Sequence, residues 1–87
     1  MPIVTCIVGL YQPFSMKSII LLIDSDKKVI NQLNCETINF MSEVIKVADE
    51  YGCKNLELFG GPRAILKELL LPYAGQGYNI RLEGDNV

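Results

Sequence analysis

Gly60, Gly61, Pro62 and Arg63 stand together where an apolar run ends and a helical pattern begins, with Lys67 four residues beyond Arg63. Such a corner could bind an anion, because backbone N–H groups at a helix start carry the positive end of the helix dipole. Arg63 sits where a cation is disfavoured by about 0.3–1 kcal/mol unless an anion answers it. The competing account is structural: two glycines allow a tight turn, and neither a GxGxxG nor a GxxxxGK[ST] pattern is present. Asp24 and Asp26 could hold Mg²⁺, but their spacing first suggests the cap of a hairpin turn. Ser15, Ser18, Ser25 and Ser42 have no His to activate them, since the chain contains none. Cys6, Cys35 and Cys53 are an odd, widely spaced set, which fits reduced thiols and gives no zinc pattern. No catalytic residue, metal site or cofactor is therefore expected.

Composition narrows the partners. The 87 residues carry 49% apolar and 21% charged side chains and a formal charge of −2. That predicts one domain with a real core, and no cationic field for nucleic acid or anionic lipid. The apolar run at residues 19–23 is far too short to span a bilayer. The expectation is a single α/β domain over residues 1–87, soluble and cytoplasmic.

The elements follow from period and punctuation. Residues 3–10, 18–23 and 28–33 are rich in β-branched or aliphatic side chains and predict three strands, with Asp24-Ser25-Asp26 turning the second into the third. From Thr37 the period lengthens. Ile38, Met41, Val44, Ile45, Ala48 and Tyr51 form the stripe of an amphipathic helix, capped by Thr37 or Asn39 and closed by Gly52. A fourth strand spans residues 55–59. Pro62 then opens a second helix whose buried side is Ile65, Leu66, Leu69 and Leu70, and Pro72 ends it. A fifth strand spans residues 78–83. The order β-β-β-α-β-α-β, with a mixed sheet ordered 3-2-1-4-5, is a ribonuclease H-like arrangement. Two right-handed crossovers would put both helices on one face.

The other face should then be bare. Residues 56–58 and 80–82 alternate apolar with charged, as a half-wet sheet requires. The first two strands do not. Val4, Cys6, Val8 and Leu10 oppose Ile3 and Ile7, and Ile19, Leu21 and Ile23 oppose Ile20 and Leu22, so both faces want burial. About four to six aliphatic side chains on an open face represent a gross driving force on the order of 10 kcal/mol. A homo-oligomer or protein partner is expected there, through Ile3, Ile7, Ile20 and Leu22. The alternative is that residues 11–16, carrying Tyr11, Phe14 and Met16, fold back as a lid.

The run EYGCKNLELFGGPR (residues 50–63) resembles the helix end, strand and Gly-Pro turn of the small-subunit ribosomal protein usually numbered eleven. Arg63, Ala64, Ile65, Leu69, Gly77 and Ile80 keep a similar rhythm downstream, and IILLIDSDKKVI looks like that family's hairpin. The resemblance implies the same ribonuclease H-like fold and, for a true relative, RNA binding. That family uses a longer Gly-Pro turn and a basic C-terminal tail, whereas this chain ends in the acidic Leu82-Glu83-Gly84-Asp85-Asn86-Val87. The first expectation is a non-enzymatic, oligomerising interaction module, of a size that would suit a viral or mobile-element accessory protein. A small-anion or nucleotide binder at the Gly-Gly-Pro-Arg corner is the alternative, and an RNA-binding relative of the ribosomal family is the second.

Overall fold

The aliphatic stretches between turn residues become strands β1 (Cys6–Leu10), β2 (Lys17–Ile23) and β3 (Val29–Glu36) in the computed structural model, which describes residues 3–83. The turn from β2 to β3 is built by Asp24, whose Oδ1 accepts the N–H groups of Asp26 and Lys28 at 2.9 Å each. A 3₁₀ turn (Thr37–Asn39) leads into helix α1 (Phe40–Tyr51), and Gly52 closes α1 in the left-handed conformation at φ 63°. Strand β4 (Asn55–Phe59), helix α2 (Arg63–Leu70), a second 3₁₀ turn (Leu71–Tyr73) and β5 (Asn79–Leu82) follow among the described residues.

The sheet has five strands in the order β3-β2-β1-β4-β5. β1 pairs antiparallel with β2 and parallel with β4, β3 lies antiparallel to β2, and β5 lies parallel to β4. The sequence-based order is thus the observed one. β1 is central because it is apolar on both faces, while the polar residues of β3 and β5 suit the edges.

One core fills one side of this sheet. Ile7 of β1, Ile20 and Leu22 of β2 and Leu56 and Leu58 of β4 are buried in a single cluster with Phe40, Val44 and Ala48 of α1 and Leu66 of α2. Phe40 lies over Gly9, where an added Cβ would meet its Cζ at 2.7 Å. A glycine in a strand interior is otherwise unfavourable, so close approach of the ring accounts for it. The helical stripe differs from the expected one at both ends. Ile38 is 88% exposed and Tyr51 46% exposed, and Phe40 and Val47 are buried instead. The 3₁₀ turn, with three residues per turn, rotates Ile38 out of phase with the α-helix that follows.

Candidate interaction surface

Alternation along the strands decides which side chains the helices leave uncovered. Val8 pairs across to Leu21 and to Glu57, and Glu57 pairs to Arg81, so these side chains share the face opposite the core. The neighbouring rows bring in Cys6 with Ile23, and Leu10 with Ile19 and Phe59. All of these except Arg81, which is exposed, are half-buried. Flanking strands less than 5 Å away screen their sides, and only the tips reach solvent. The result is an apolar centre made by β1, β2 and Phe59. Gln32 and Asn34 of β3 border it on one side, and Glu57 and Arg81 on the other.

This corrects the residues assigned to the surface. Ile7, Ile20 and Leu22 are 0%, 1% and 1% exposed and lie under the helices. Ile3 precedes β1 and is 77% exposed. The open face is that of Cys6, Val8, Leu10, Ile19, Leu21 and Ile23. Both faces of β1 and β2 are equally apolar, so their composition is indifferent to which one meets the helices. Pairing with β4 decides it: Leu56 and Leu58 must be inside because Glu57 cannot, and Ile7 and Gly9 stand opposite them.

The connection between β1 and β2 does not cover this face. Tyr11 turns toward the helices, its ring centroid 5.1 Å from that of Phe40. Phe14 and Met16 are 102% and 86% exposed. Ser18, fully buried, anchors the connection: its Oγ accepts the Gln12 N–H at 3.1 Å and lies 2.8 Å from the Thr37 Oγ1. Polar burial at Ser18 carried no signal in the sequence, where it stands as the first residue of an apolar run.

The titratable groups on the open face are engaged with one another. The Cys6 thiol donates to Glu57 Oε2 at 3.3 Å, and Arg81 Nε meets Glu83 Oε1 at 2.8 Å. Burial first, then the hydrogen bond to Glu57 and its charge, push the Cys6 thiol up to about 12. Burial likewise pushes the Cys35 thiol up. For Cys6 the folded chain holds its proton above the pH at which the unfolded chain releases it. The stability this contributes is complete below about pH 8.5 and is lost as pH rises toward 12. Chemical denaturation in steps from pH 8 to 11 should show falling stability, and Cys6→Val should flatten the slope.

Gly60 and Gly61 both have positive φ, 88° and 69°. A Cβ on Gly60 would lie 2.0 Å from the Tyr11 carbonyl oxygen, so the glycine serves the approach of the β1–β2 connection. Pro62 caps α2, its carbonyl accepting the N–H groups of Ile65 at 3.1 Å and Leu66 at 3.3 Å. Arg63 and Lys67 lie one turn apart on α2, and both are exposed. Tyr78 donates to Asp49 Oδ1, and Lys54 Nζ lies 4.5 Å from its ring centroid. Among the described residues no helix is long and apolar enough to cross a membrane. No protein-family model matches the chain, and neither the curated proteins nor the solved structures yield a match.

Proposed function

We propose that this protein is a non-enzymatic interaction module whose open sheet face is its contact surface, occupied by a second copy of the chain. The observation that carries the reading is the contiguous apolar centre of Val8, Leu10, Ile19, Leu21, Ile23 and Phe59, which no helix among the described residues covers. An apolar centre within a polar margin is the anatomy of protein interfaces, and monomers seldom leave such a patch in water. Covering these half-buried groups offers on the order of 5–10 kcal/mol gross, comparable with the cost of association, so a reversible contact is expected. A hollow of about 610 Å³ beside Cys6, bounded by Asn55, Glu57, Tyr78 and Arg81, would receive a side chain from the other surface. A second copy suits the face because the net charge of −2 opposes pairing only weakly.

The strand order and the two parallel pairings also support reading the scaffold as ribonuclease H-like. Such a scaffold would here serve recognition, since β1 carries no carboxylate for metal-dependent hydrolysis. Light scattering after gel filtration tests the proposal. Leu21→Glu places a charge at the centre of the face without entering the core, and should abolish the face-to-face contact while leaving the circular dichroism unchanged. A wild-type protein that stays strictly monomeric at high concentration and binds no hydrophobic dye would refute it.

A further inference from the structure

We infer that the outer edge of β3 is a second, independent self-association site, at which two copies pair antiparallel and join their sheets. β3 runs for eight residues at the end of the sheet and, among the described residues, pairs only with β2. The opposite edge, β5, has four residues, too few to act as a template. Protein edges are ordinarily protected by proline, by lysine or by a bulge. β3 contains no proline and no lysine, and its single charge is Glu36 at the end. Its protections are a bulge opposite the step from Leu22 to Ile23, which affects the first residues and leaves 31–36 in regular register, and the Asn31 side chain, which holds the Gln32 N–H and must release it on pairing.

The direction of its backbone groups is set by two hydrogen bonds. The Thr37 N–H donates to the Met16 carbonyl on the β2 side, whereas the Gln32 N–H is held at 2.9 Å by the side-chain Oδ1 of its neighbour Asn31. Gln32 and Asn34 therefore present N–H and C=O outward, and Leu33 and Cys35 present theirs to β2. A two-fold axis at Leu33 would set Gln32 of each copy opposite Asn34 of the other, exchanging both backbone hydrogen bonds and aligning their amides on the open face. Leu33, half-buried against the core, would meet its own copy on the helix side.

Side-chain chemistry favours a second copy: amide meets amide on the open face and Leu33 meets Leu33 on the helix side. Asp24 and Asp26 beside Lys27 and Lys28, and Lys17 opposite Glu36, leave neither end of the hairpin with a net charge to oppose the pairing.

The test is made in the Leu21→Glu variant, so that the face contact cannot mask it, and again in the wild-type background. Sedimentation should show an edge dimer in the Leu21→Glu variant and, because the wild-type chain carries both contacts, an assembly larger than a dimer in the wild type. Gln32→Lys with Asn34→Lys puts like charges opposite one another and should raise the dissociation constant of the edge contact by about tenfold or more. Gln32→Lys with Asn34→Glu should restore or tighten it. Both double variants alter exposed side chains only. In the unmodified sequence, amide exchange at Gln32 and Asn34 should slow as concentration rises. A folded Leu21→Glu protein that is monomeric throughout, or two double variants of equal affinity, would overturn the edge contact. Failure of Leu21→Glu to change the wild-type assembly would instead count against the face contact alone.

Discussion

Gly60→Ala should destabilise the protein by about 4 kcal/mol, the sum of left-handed backbone strain and an overlap that no rotamer can relieve. The residue sits at φ 88°, and its new methyl would lie 2.0 Å from the Tyr11 carbonyl oxygen and 3.0 Å from the carbonyl carbon. Because the obstacle is backbone, relief requires moving the β1–β2 connection. That would strain the hydrogen bond from Tyr11 N–H to the Phe59 carbonyl at 2.8 Å and the contact of the Tyr11 ring with Phe40. For a domain of this size the melting temperature should fall by roughly 15–30 °C. Gly61→Ala is the control. Its φ of 69° is also left-handed, but its nearest contact is the Tyr11 ring at 3.3 Å, a side chain able to shift. It should cost only about 1 kcal/mol. Equal losses at the two positions, read by chemical denaturation, would refute the backbone-approach account. They would also revive the reading in which both glycines exist to cradle an anion.

Phe40→Ala should cost about 3–5 kcal/mol, the range for a buried aromatic whose site cannot fully collapse. Phe40 is 1% exposed, opens α1, and lies over Gly9 with Tyr11 tilted against it. It thus joins the helix, the central strand and the β1–β2 connection at one point. Gly9→Ala in the wild-type background should also destabilise, by about 1–3 kcal/mol, since its Cβ would press on the Phe40 ring at 2.7 Å. In the Phe40→Ala background the same methyl enters the vacated space, and the second substitution should become neutral or favourable. A double-mutant cycle measures this coupling, and strict additivity would show that ring and glycine do not share that space.

Much of the architecture is legible from local chemistry. Asp24 and Asp26 mark a turn whether or not they are seen folded, because a carboxylate two residues from a free N–H will cap it. Gly52 marks a helix end because a left-handed residue is needed there. The alternation of Leu56 and Leu58 about Glu57 tells that one side of the sheet is dry and the other wet, and two right-handed crossovers after three consecutive strands constrain the strand order. These signals act over a few residues, or follow from chain connectivity.

Whatever depended on register was decided only by the folded structure. In β1 and β2 either face could have met the helices, and a shift by one residue exchanges every inward side chain for an outward one. The pairing of Ile7 with Leu56 and the seating of Phe40 over Gly9 made the choice, and placed Leu21 and Val8, not Leu22 and Ile7, on the open side. Ile38 was likewise turned outward by a 3₁₀ turn that leaves the apolar spacing of the sequence unchanged. Composition along this chain therefore determined that a water-averse sheet face should exist, and three-dimensional pairing determined which residues form it. The reason is that hydrophobicity is a property of each side chain alone, whereas facing is a relation between strands distant in sequence.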